Sequence, residues 1–100
     1  MNWNALRYAK AKFSCFPFVV QFPVKGQRVD QLPYFCGTGA PCAYITVKVD
    51  RFPSLSTQAD CSGRWQVSNP YRIPPGIYGM LVTEHKCGFS RHTCTWIQIS

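Results

Sequence analysis

Between residues 43 and 50 the chain reads AYITVKVD, apolar and polar by turns. Side chains alternate across a strand, so Ala43, Ile45, Val47 and Val49 fall on one face and Tyr44, Thr46 and Lys48 on the other. This is the clearest strand in the sequence. Short runs rich in β-branched and aromatic residues predict five more: FSCFPFVVQF (13–22), a weaker one around 29–35, RWQVS (64–68), IYGMLVTE (77–84) and CTWIQI (94–99). Pro17 confines the first of them to an edge or a bulge, because proline has no amide to give to a ladder.

Turn signals separate these runs. VKGQR (24–28) is centred on a glycine, CGTGAPC (36–42) reads as a loop, and RFPSLSTQAD (51–60) reads as a Ser, Thr and Pro-rich connector. NPYRIPPGIYG (69–79) is a stiff connector, since Asn-Pro and Pro-Pro-Gly preset the backbone, and it carries Tyr71 and Arg72 where a partner could meet them. Residues 1–12 are polar and basic and read as a flexible arm ahead of a single domain over 13–100. No apolar pattern at helical spacing persists, and there is no internal repeat. Six short strands with turns between them predict an all-β, antiparallel sandwich or small barrel.

The composition agrees with one folded domain. The chain has 100 residues, 46% of them hydrophobic and 15% aromatic, with only 15% charged. No segment approaches the roughly 20 apolar residues of a membrane-spanning helix. The net charge is +7, but the basic residues are scattered from Arg7 to Arg91. Such a field speeds encounter with acidic partners. A nucleic-acid site would cluster its cations on one face, so nucleic acid is not the favoured partner.

Six cysteines in so short a chain imply oxidised pairs and a secreted protein. MNWNALRYAKAKF has no apolar run of the length a leader needs, so the expectation is a mature chain whose leader has been removed. The connectivity stays open. A bridge from Cys15, in the first strand, to Cys61, just ahead of a later one, would tie the halves together. In the chain-entropy picture that closure is worth roughly 4 kcal/mol, against about 2.5 for Cys36–Cys42 or Cys87–Cys94. The same cysteines permit a zinc alternative: HKCGFSRHTC (85–94) holds His85, Cys87, His92 and Cys94 as two H-x-C pairs that a hairpin could gather, although the spacing is not a usual finger or ribbon.

Catalysis is poorly supplied. The only acids are Asp30, Asp50, Asp60 and Glu84. Glu84, His85 and His92 with Arg91 could serve a ribonuclease-like reaction, with a base and a phosphate clamp, but no second acid or base is placed elsewhere. The expectation is a protein that is not an enzyme and needs no cofactor. Among Phe16, Phe18, Tyr34, Tyr44, Trp65, Tyr71, Tyr78 and Trp96, core packing explains most, while Tyr44 and then Tyr71 are the aromatics expected at the surface.

A cysteine in the aromatic run FSCFPFVVQF is followed by DC at 60–61, then SG, then PPG leading into IYGMLV. In these features, over roughly residues 13–84, the chain resembles the MAX effectors, small secreted virulence proteins of the rice-blast fungus and its relatives. The resemblance implies a disulfide-stapled sandwich of two three-stranded antiparallel sheets, with the family bridge on Cys15 and Cys61. It further implies a monomeric, non-enzymatic protein that binds a host protein inside plant cells, in part by strand addition at a sheet edge, and that an immune receptor recognises. The family's contact residues vary, so Tyr44, Tyr71 and Arg72 remain the partner-binding candidates read from this sequence alone.

Overall fold

Eight strands and no helix make up the described residues, 17–100, of this computed structural model. In chain order they are β1 (Val19–Phe22), β2 (Arg28–Val29), β3 (Tyr34–Thr38), β4 (Tyr44–Val49), β5 (Leu55–Gln58), β6 (Arg64–Ser68), β7 (Gly76–Lys86) and β8 (Phe89–Ile99). The arm expected over 1–12, together with Cys15 and Phe16, lies outside the described residues.

The strands form two sheets, one of three strands in the order β1-β3-β6 and one of five in the order β2-β8-β7-β4-β5. Every pairing is antiparallel except β2 with β8. The all-β expectation therefore stands, but six strands in two sheets of three does not. Two sequence features account for the difference. The weak run around 29–35 breaks at Asp30-Gln31-Leu32-Pro33, so β2 joins the larger sheet and β3 the smaller. The connector 51–60 holds β5, four residues whose polar members hid the alternation of Leu55 and Thr57, half-buried, with exposed Ser56 and Gln58. Cys36, Gly37 and Thr38, expected in a loop, complete β3 instead.

The core is shared by the inward faces of both sheets. Ile45, Val47 and Val49 of β4 are buried, as their alternation requires, and Tyr78, Met80 and Val82 of β7 and Ile97 and Ile99 of β8 join them. The smaller sheet contributes Phe35 and Trp65, the latter donating from its indole Nε1 to Thr38 O at 3.2 Å. Each such side chain contributes about 1.5–3 kcal/mol relative to exposure. The connector 69–75 is stiff for a reason visible in its centre: Ile73 is fully buried, a plug held between prolines. Gly37 is where β1 comes closest to β3 and Trp65, since a Cβ there would lie 2.1 Å from Val19 O.

The longest pairing is the β7–β8 hairpin, which runs from Gly76↔Ile99 to Lys86↔Phe89. Cys87 and Gly88 make its two-residue turn with φ of 53° and 79°. Positive φ at both turn positions is the primed geometry that matches the twist of the flanking strands. The hairpin that the zinc alternative needs over 85–94 is present, with β7 and β8 running on through residues read as lying outside the strands, and its register decides which side chains meet.

Candidate binding face of the five-stranded sheet

Paired residues of antiparallel strands point to the same side, so the register lays out the sheet's outer surface row by row. Tyr44, His85 and Ser90 form one row, and Thr46, Thr83 and His92 the next. Lys48, Leu81 and Cys94 follow, and then Gly79 and Trp96 with Asp50 just past the end of β4. Ile77, Gln98 and Arg28 close the series. Four large apolar side chains stand open here: Tyr44 at 51%, Ile77 at 71%, Leu81 and Trp96. Lys48 and Arg28 are exposed beside them. Asp50 is the one carboxylate in these rows.

Local bonds fix several of these groups. His92 Nδ1 lies 3.2 Å from Thr83 Oγ1, and His85 Nδ1 lies 2.9 Å from Ser90 Oγ, so both imidazoles keep Nε2 for other partners. The Tyr44 and His85 rings sit 6.4 Å apart, tilted. Lys48 Nζ donates to Phe52 O at 3.1 Å. The Trp96 indole rests over Gly26, where a Cβ would come within 3.1 Å of its ring carbons.

The inner side of the same hairpin carries a different chemistry. Glu84 is completely buried; its Oε1 meets Arg91 Nε at 2.6 Å and its Oε2 accepts from Ala40 N at 2.6 Å. Arg91 also lies over the Phe18 ring at 5.7 Å. Lys86 Nζ donates to Pro41 O. Glu84 and Arg91 thus face the core while His85 and His92 face outward, and the ribonuclease-like set of Glu84, His85, Arg91 and His92 is divided between two sides of the sheet. The odd spacing from Glu84 to His85 makes that unavoidable in a strand.

The same register does not gather the four residues of the zinc alternative. His85, His92 and Cys94 share the outer face, but Cys87 sits in the turn, and among the described residues no three His, Cys, Asp or Glu side chains gather to hold a metal. The short disulfide closures are not formed either. Cys94 pairs with Leu81, five residues along β8 from Phe89 beside the turn, about 17 Å at strand rise and far beyond the roughly 7 Å limit for a bridge to Cys87. Cys36 lies mid-strand in β3 and Cys42 in an exposed turn, both as free thiols. Cys61 is also free and exposed, with Cys15 outside the described residues.

The other candidates separate clearly. Tyr44 lies on the open face. Tyr71 is half-buried: its ring stacks with Phe52 at 6.1 Å and its hydroxyl donates to Pro53 O at 2.9 Å, and burial pushes its phenol pKa up. The expected exposure of Tyr71 is corrected accordingly, because the stiff connector turns the ring inward. Arg72 is exposed but lies on a shallow depression with Asp30, Gln31, Leu32 and Ser100, away from the sheet face. Trp65 and Tyr78 are in the core, and Tyr34 is exposed and stacked on Phe22 at 4.8 Å. Asp50 and Gly79 were singled out by no motif, yet extending the alternation one residue past Val49 puts Asp50 on Tyr44's side.

No protein-family model and no curated protein matches the chain. Solved structures share the fold. An endo-beta-1,4-mannanase from Thermotoga petrophila matches over 85% of this chain and 20% of its own, with a TM-score of 0.65 and 15% identity. A carbohydrate acetylesterase from Xanthomonas citri matches over 84% of this chain and 19% of its own, with a TM-score of 0.63 and 21% identity. The chain thus spans about one-fifth of each of these proteins, and at such identities the likeness is one of fold.

Proposed function

We propose that the chain is a non-enzymatic binding protein whose outer five-stranded face docks an acidic protein surface, the role of a secreted effector acting on a host plant protein. One observation carries the reading: Tyr44, Leu81, Trp96 and Ile77 are exposed on one sheet face, interleaved with Lys48 and Arg28 and with a single carboxylate at the margin. Exposed apolar groups gathered on one surface mark interaction sites, and aromatic and arginine side chains are the residues enriched there. The surrounding positive charge would raise the association rate and fix the sign of the partner. Affinity capture from a plant extract, with the wild-type chain beside Tyr44→Ala and Leu81→Ser, tests it. A protein retained by the wild type, released by added salt and lost from both variants supports the reading; retention equal in all three chains sinks it.

A second reading is a glycan-binding module. Its support is that the same fold occupies a fifth of two proteins whose own substrates are carbohydrates. Titration with soluble oligosaccharides separates it from the first, since a neutral glycan leaves little salt dependence.

A further inference from the structure

Asp50 stands in an unusual place and conformation. Its φ is 36°, in the left-handed region that favours glycine. Its amide donates to Gly79 O at 3.0 Å, and its Oδ2 accepts from Gly79 N at 2.9 Å, so the residue folds back over β7. Its Oδ1 lies 2.9 Å from where a Gly79 Cβ would be, occupying the space that a side chain would fill, and accepts no hydrogen bond among the described residues. Backbone strain that holds a polar group at a surface notch is a functional signature when the geometry also offers a cavity.

The cavity is there. A depression of about 310 Å³ lies over Gly79, lined by Lys48, Asp50, Leu81 and Cys94. That is at the small end of ligand sites, about 300–1,000 Å³. Lys48 Nζ uses one proton on Phe52 O and keeps two.

We propose that this notch is a subsite for one pyranose ring of a neutral glycan, which rests on and deepens the second reading above. A hydroxyl group donates and accepts, so neighbouring hydroxyls satisfy Asp50 Oδ1 and Lys48 Nζ together. A small anion would face the Asp50 carboxylate, and a small cation the Lys48 ammonium. A neutral polyol meets neither repulsion. The Leu81 side chain receives the ring's C–H side.

The test is an amide-correlation NMR titration of the full chain with the hexaoses of β-1,4-linked glucose, mannose and xylose, at low and high sodium chloride. The expected result is saturable binding of at least one hexaose, unchanged by salt, with shifts at the Gly79 and Leu81 amides. Lys48→Met and Asp50→Ala are each expected to weaken it by about tenfold, the loss of one good charged hydrogen bond. Gly79→Ala, whose Cβ would come within 2.9 Å of Asp50 Oδ1 and displace it, removes it, and Gln66→Ala on the other sheet leaves it unchanged. Lys48→Met keeps the Asp50–Gly79 bond, so it reports on binding even where Asp50→Ala disturbs the fold. No binding of any hexaose overturns the subsite and the glycan reading together. Binding indifferent to Lys48→Met and Gly79→Ala, or abolished by salt, overturns the subsite alone.

Discussion

The Glu84 carboxylate meets the Arg91 guanidinium at 2.6 Å on the inner side of the β7–β8 hairpin, and Glu84 is wholly removed from solvent. Its other oxygen closes the turn at Ala40. Replacing Glu84 with alanine removes the carboxylate that faces Arg91 and the acceptor of the Ala40 amide. Breaking a buried pair costs about 3–5 kcal/mol; with Arg91 a quarter exposed, the lower end applies. Glu84→Gln, which keeps an acceptor, is expected to lose less. Urea denaturation of the three chains measures both, and a Glu84→Ala chain as stable as the wild type removes the pair from the account of stability.

Two glycines separate crowding from conformation. At Gly37 a Cβ would lie 2.1 Å from Val19 O and 2.6 Å from the Trp65 ring, so Gly37→Ala must push β1 and Trp65 apart. A loss of about 1–3 kcal/mol or more is expected. At Gly88 nothing lies within 4 Å, but φ is +79°, and Gly88→Ala costs about 1–2 kcal/mol through the backbone alone. Thermal unfolding should rank Gly37→Ala as the more damaging of the two; equal losses would mean that β1 yields easily.

The contrast between these sites shows what the sequence could disclose. β4 was legible because apolar residues recur at every second position, and the period also placed Tyr44 outside. β6, β7 and the second half of β8 were legible from β-branched and aromatic residues, while residues 89–93 of β8 were not. β5 was not, since Leu55-Ser56-Thr57-Gln58 has one strong apolar residue and its pairing with β4 is decided by contacts distant in sequence. β2 has two residues and exists only because β8 is beside it. The candidate site was half legible: the face follows from period two, whereas the meeting of Asp50, Gly79 and Lys48 depends on how β4 and β7 are registered. The same unread register misled the grouping of Cys87 with Cys94, whereas Glu84 and His85 were already separated by their odd spacing.

Thiol chemistry follows from that register. Cys42, Cys61, Cys87 and Cys94 are exposed free thiols and Cys36 is half-buried. In the reduced chain the first four are expected to alkylate in native buffer faster than Cys36. Non-reduced peptide mapping of the oxidised chain should recover no Cys87–Cys94 link, whereas the effector reading expects one between Cys15 and Cys61. A Cys87–Cys94 link in folded protein would require the β7–β8 register to be wrong.

Asp60 supplies a pH-dependent contribution of known sign. Its Oδ1 accepts from Ser62 Oγ at 2.7 Å, Ser62 N at 2.9 Å and Arg64 N at 3.0 Å, closing the turn into β6. The Ser62 hydroxyl first, and the Arg64 amide next, hold its carboxyl below the ordinary carboxylate range. Between that lowered value and the unfolded value of about 3.9, the unfolded chain binds more protons than the folded one, so stability rises with pH there. The contribution is fully present above the unfolded value and is lost as pH falls through the folded one. Asp60→Asn should therefore be less stable than the wild type at neutral pH, with the gap narrowing toward acid. Paired urea titrations across that range cancel the other carboxylates, which the two chains share. A gap constant with pH would mean that Asp60 acts through the shape of the turn and not through its charge.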